Sequence, residues 1–294
     1  MKYDYSTSRT KNKVQINIQN WLTSDNSLIK LYKMNGKTPI SYITEATFIG
    51  DGVEGIQKGD YLLLSKVSCE VATSLTAFYT IDDKKYFDIP KEQILGVFKE
   101  NKITFRNLEL RDKIVMFKKV YRKQSSILDI EDRDATIGGI IKVGKNSQFN
   151  VGDIAIIENN TPTPVFIDDE ECYAVEEKFV VGIANEEDFS IENIDIKNNY
   201  ILMKLYISKN VLNSKILETS GINYDNLDYS DINNRNLFKV IYADKSLQGI
   251  KKGDILLLDR NYVNYVYYNG EKYFSINDKR WISSKIIERD KQCN

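Results

Sequence analysis

The chain has 294 residues, enough for two or three domains with substantial cores, and its 42% hydrophobic and 28% charged residues are ordinary for a soluble globular protein. Its 41 Lys and Arg nearly balance 42 Asp and Glu, so net charge argues for neither nucleic acid nor an anionic membrane as partner. Histidine is absent, which removes the commonest general base, the commonest zinc ligand and the usual partner of a Ser or Cys nucleophile, so no catalytic residue, metal or cofactor is expected.

In chain order, residues 1–26 read as an N-terminal arm outside any repeated unit. They carry Arg9, Lys11 and Lys13, an alternating stretch Val14 to Ile18, and Trp21 beside Leu22. Ile16, Ile18 and Trp21 are costly to leave in water, which makes this arm a candidate for strand addition to a neighbouring sheet edge. An alternating strand is expected next at Leu28 to Lys33, and counterparts recur at Lys113 to Lys118 and Tyr200 to Leu205.

Each opening strand is followed by a variable segment and then a short strand, at Thr47 to Gly50, Gly139 to Val143 and Phe238 to Tyr242. About a dozen residues later comes a Gly-Asp pair that opens an aliphatic run. The copies are IQKGDYLLL at 56–64, FNVGDIAII at 149–157 and IKKGDILLL at 250–258, so the glycines lie 93 and 101 residues apart. That is the spacing of small domains, not of solenoid repeats. Gly59, Gly152 and Gly253 supply the positive φ of a tight turn, and Asp60, Asp153 and Asp254 can accept from backbone N–H groups as the strand begins. The pairs therefore read as structural turns.

Each unit closes with a hairpin strand (85–89, 171–175, 272–276) and a last strand (94–98, 180–183, 285–287). Period-two alternation and short strands at short intervals argue for small antiparallel barrels, and no stretch shows a long, capped helical period. Tyr262, Tyr265, Tyr267 and Tyr268 crowd one hairpin of the third unit and are candidates for an interface, because tyrosine combines an apolar body with a polar tip. The acidic stretches 129–134 and 168–171 lack the glycine and twelfth-position Glu of a calcium loop and read as solvated loops. Cys69, Cys172 and Cys293 share no metal-ligand spacing and read as reduced thiols.

This order of parts resembles the co-chaperonin (chaperonin-10, GroES-like) family. The middle unit carries the resemblance furthest, with DKIVMFKKV, a loop containing Ile127-Leu128, then GGIIKVG, VGDIAII and FVVGIA. The resemblance implies an all-β chain of three tandem GroES-like barrels at 27–105, 106–194 and 195–294, behind the arm at 1–26. In that family the loop after the opening strand docks on a chaperonin, so Ile127 and Leu128, and Ile216 and Leu217 in the third unit, are the candidate partner-binding residues.

The loops differ in length among the three units, and three non-identical units in one chain do not divide a sevenfold ring. Frequent Asn, Ile, Lys and Tyr with only 4 Pro point to an A/T-rich gene, as in a bacteriophage or a low-GC bacterium. The expectation is a non-catalytic assembly protein, either a structural part of a phage particle (ring, connector or capsid-associated) or a co-chaperonin capping a folding chamber. Its expected partners are protein chains, including copies of itself in a homo-oligomer or ring. Without a membrane span or signal-type start, the expected location is the host cytoplasm and the virion.

Overall fold

A computed structural model describes residues 11–17, 42–66, 79–120, 137–159, 161–168, 170–184, 194–206, 237–258, 263–268 and 271–286. The chain is all-β with almost no helix, and its strands form three antiparallel sheets, none of which closes into a barrel. The expectation of closed barrels is corrected to that extent.

The first sheet contains β1 (Lys13–Asn17), β2 (Ile43–Ile49), β3 (Tyr61–Leu64), β4 (Tyr79–Ile81), β5 (Lys84–Pro90), β6 (Ile94–Phe98) and β7 (Leu108–Leu110). The second contains β8 (Ile114–Lys119), β9 (Ile137–Val143), β10 (Ile154–Ile157), β11 (Thr163–Ile167), β12 (Glu170–Glu176), β13 (Val180–Ala184) and β14 (Asp195–Ile196). The third contains β15 (Ile201–Leu205), β16 (Leu237–Ala243), β17 (Ile255–Leu258), β18 (Asn264–Tyr268), β19 (Glu271–Ile276) and β20 (Ile282–Ile286). Their orders are β4-β5-β1-β2-β3-β6-β7, β11-β12-β8-β9-β10-β13-β14 and β18-β19-β15-β16-β17-β20. Strand for strand the three are the same order, except that the third stops at six among the described residues.

The likeness extends to irregularities. The opening strand of each sheet slips register against its neighbour at one place: Gln15/Ile16, Met116/Phe117 and Leu202/Met203. A second slip falls at Leu63/Leu64, Ile156/Ile157 and Leu257/Leu258. Bulges bend a strand and sharpen its twist, so each sheet is curved at the same two places. Just before each opening strand stands a left-handed residue, Asn12, Lys113 or Asn199, at φ 59°, 56° and 60°. Asn tolerates this conformation better than Lys, which is strained there.

Two expectations about boundaries are corrected. Lys13–Asn17, expected in an arm, is instead an inner strand of the first sheet, paired with β2 on one side and β5 on the other. Val14 and Ile16 are fully buried there, so Ile16 belongs to this sheet's own core. The expected opening strand at 28–33 lies outside the described residues. The stretches 108–110 and 195–196, assigned to the second and third units, pair backward with β6 and β13.

The chain divides into two compact units. Unit 1 comprises 1–122, 138–153 and 160–179, and unit 2 comprises 123–137, 154–159 and 180–294. In unit 1 a large cluster brings Leu62, Leu64, Ile89, Ile94 and Phe98 together with Met116, Val165 and Ala174. Two clusters of unit 2 are seen among the described residues. One fills the third sheet's inner face around Met203, Val240, Leu256 and Ile276, and the other joins Ile156 and Val181 to Leu202, Val266 and Tyr273.

Candidate functional site

The three Gly-Asp turns are built alike, atom for atom. The glycines have φ 94°, 99° and 92°, with open space where a Cβ would stand. The backbone N–H three residues before each aspartate donates to that aspartate's Oδ2 at 2.8 Å, from Gln57, Asn150 and Lys251. Each glycine N–H donates to the facing strand at 2.8 Å, to the carbonyls of Ala46, Ile140 and Val240. The carboxylate thus serves as a turn clamp.

The clamps differ in surroundings. Asp60 and Asp254 are buried, and lysines reach both: Lys99 Nζ lies 3.5 Å from Asp60, and Lys285 Nζ 2.7 Å from Asp254. Burial alone would push the Asp254 carboxyl up. The Lys285 ion pair and the Lys251 N–H outweigh it and hold the group below its ordinary value.

The more unusual chemistry lies where consecutive sheets pack. In unit 2, Glu158 directly follows β10 and is 3% exposed. The fully buried Tyr200 donates its hydroxyl to Glu158 Oε2 at 3.2 Å. Burial raises the Glu158 carboxyl above its ordinary value despite hydrogen bonds from Asn264 and Tyr200. Burial, then the Glu158 charge and hydrogen bond, push the Tyr200 phenol far up, so it stays a donor throughout the accessible pH range. Ser275 Oγ is buried in the same sheet with no hydrogen-bond partner among the described residues.

The corresponding place in unit 1 is a cleft of about 470 Å³. Ser65, Thr163, Leu95, Glu176, Lys178 and Phe179 line it. Its polar seam is a bond from the Lys66 N–H to Thr163 Oγ1 at 2.8 Å. In unit 2 the matching seam is Asn159 N–H to the Tyr265 carbonyl at 3.2 Å.

The remaining expected residues are distributed as follows. Tyr268 is 1% exposed and packs in the cluster with Ile156 and Tyr200, so it is a core residue and not part of a free face. Tyr265 and Tyr267 remain half-buried on the edge strand β18, their rings edge to face with centroids 5.6 Å apart. Lys272 lies over the Tyr265 ring at 4.2 Å. Ile18, Trp21, Ile127, Leu128, Ile216, Leu217 and Tyr262 lie outside the described residues. Cys172 is free and buried, with its thiol pushed up by burial.

Asp168, expected in a solvated loop, accepts from the Phe105 N–H at 2.9 Å. No group of three or more Cys, Asp or Glu able to hold a metal occurs among the described residues, and no helix there is long and apolar enough to cross a membrane. The chain matches no family model and no curated protein.

Proposed function

We propose that the chain is a non-catalytic assembly protein, a structural component of a bacteriophage particle, made of three tandem and divergent GroES-like units. What supports this reading most is the threefold recurrence of one strand order with the same two bulges and the same clamped turn. Each sheet is then an open, curved version of the co-chaperonin barrel. Repetition of a packing unit builds extended surfaces, and the chemistry the structure repeats is turn and core chemistry. The absence of histidine from the sequence supports a role without general-base catalysis. On this reading the protein acts in the host cytoplasm and in the particle, with protein partners that include copies of itself and with no cofactor.

Quantitative mass spectrometry of purified particles tests the proposal. A fixed copy number that survives removal of ATP is the expected outcome. Binding to a chaperonin ring only in its nucleotide-loaded state, lost on deletion of Ile127 and Leu128, replaces it with the co-chaperonin reading. A chain found with neither refutes both.

A further inference from the structure

The seat of the buried Tyr200–Glu158 pair in unit 2 has a counterpart in unit 1, and register fixes it position by position. Ala174 faces Met116 as Ser275 faces Leu202. Two residues on, Glu176 faces Ile114, and Asn277 holds the same place relative to Tyr200. The slips at Leu63/Leu64 and Ile156/Ile157 align Ser65 with Glu158. Ile114 and Tyr200 are both buried, each in the apolar cluster that joins its sheet to the one before.

In unit 2 the Tyr200 hydroxyl is gripped from two positions. It donates to Glu158 Oε2 at 3.2 Å and is also hydrogen-bonded to the Asn277 side chain. In unit 1 the residues at those two gripping positions, Ser65 and Glu176, both line the cleft of about 470 Å³. Ile114, at the position that carries the phenol, has no hydroxyl to bring. The carboxylate has thus changed sides, from the residue after β10 in unit 2 to the last residue of β12 in unit 1, and the phenol between the two positions is missing.

The rest of the lining suits a neutral aryl ring. Leu95, Ala174 and Val175 supply a buried apolar wall, and Phe179 adds a half-buried ring against which another can pack. Lys66 and Lys178 balance Glu92 and Glu176 in the lining, and Glu176 is paired with Lys178 at 2.6 Å. A charged ligand would have to compete with that pair. A neutral donor can add a hydrogen bond to the carboxylate and leave it in place, and a phenol, titrating near 10, is such a donor at neutral pH. The volume lies in the range of small-molecule sites, roughly 300–1,000 Å³, which favours a free ligand over a side chain of another protein.

We propose that this cleft binds a small, neutral phenol, with its ring against the apolar wall and its hydroxyl donated to Glu176, in the part that Tyr200 plays in unit 2. The apolar wall supplies most of the affinity, and the hydroxyl fixes orientation and discriminates against rings that lack a donor. The inference goes beyond the proposed function and does not depend on it, since ligand binding by the purified chain and incorporation into a particle are read out separately.

The test is an NMR titration of the full-length protein with para-cresol, read by chemical shift and saturation transfer. Para-cresol should bind with a Kd of about 1 mM, and para-methylanisole, which keeps the ring and lacks the donor, about tenfold more weakly. Glu176→Gln should weaken para-cresol about fivefold and leave para-methylanisole unchanged. Ser65→Glu combined with Ile114→Tyr installs the filling of unit 2 and should abolish binding, with the circular dichroism of the wild type retained. No para-cresol binding up to about 10 mM, or equal affinity for the two ligands, overturns the inference. So does undiminished binding by Glu176→Gln or by the folded double variant. Tighter binding of N-acetyltyrosinamide than of para-cresol overturns the assignment to a free phenol and moves the occupant to a tyrosine of another chain.

Discussion

The two places where sheets pack on one another use one geometry and two fillings. In unit 2 the start of the third sheet supplies Tyr200, fully buried, with its hydroxyl on Glu158. In unit 1 the same position is Ile114, and Ser65 stands where Glu158 would be. Ser65 there lines a cleft of about 470 Å³. The carbonyls of Ile114 and Tyr200 accept from Gly144 and Asp244, one step past the second strand of each sheet, so the backbone frame is shared. What differs is side-chain volume and one acid. The shared backbone bonding thus leaves the seam free to be hollow in one unit and filled by a buried tyrosine–carboxylate pair in the other.

Truncation breaks this comparison most sharply. Tyr200→Ala should destabilise unit 2 by about 4 kcal/mol, the range for a large buried aromatic, whereas Ile114→Ala should cost unit 1 about 3 kcal/mol. Urea unfolding followed by the fluorescence of Trp281, in a Trp21→Phe background, reports on unit 2 directly. Equal loss in that signal from both variants would mean that the units do not unfold separately.

The next effect concerns the clamps. Asp254→Asn should cost about 2 kcal/mol, because it removes a charge-assisted bond and leaves the Lys285 ammonium beside a neutral group, and Asp153→Asn about 1 kcal/mol. The Asp254 contribution is present above the ordinary aspartate value of 3.8 and is lost as pH falls below it through the depressed folded value. Acid titration of the two variants against the wild type separates them.

Glu158 has the opposite sign. Its carboxyl is raised in the folded state, so unit 2 is most stable near and below pH 4.5 and loses stability as pH rises through the folded value. Glu158→Gln should therefore stabilise unit 2 at neutral pH and flatten that slope. A destabilised variant would mean that the ionised carboxylate is the better partner for Tyr200. The smallest effect expected is Thr163→Val, which leaves the Lys66 N–H without its acceptor and costs unit 1 about 1 kcal/mol.

The turns and the aliphatic strands after them were legible in the sequence because glycine and aspartate have narrow local uses that survive any tertiary setting. The opening strand of the first sheet was not. Lys13–Asn17 has only two apolar residues, Val14 and Ile16, among Lys13, Gln15 and Asn17, while 28–33 alternates with more apolar weight. Alternation reports a half-buried strand without naming its partner. β7 and β14, at three and two residues, are too short for any period, and only the glycines facing them hint at a close neighbour. Glu158 was hidden for another reason. An acid ending an aliphatic run reads as the point where a strand meets water, and only the third sheet's packing turns that end into an interior.

The backward pairing of β7 and β14 also bears on how the chain is made. Residues 108–110 complete the first sheet and, after a three-residue link, β8 begins the second. During synthesis the finishing strand of the first sheet emerges just ahead of the opening strand of the second, and the same holds for the second and third. Each sheet can therefore be finished before its successor competes for its edge, which lowers the risk of mispairing among three sheets of one strand order. A fragment cut at 105/106 would forfeit this protection by handing the last strand of one sheet to the next.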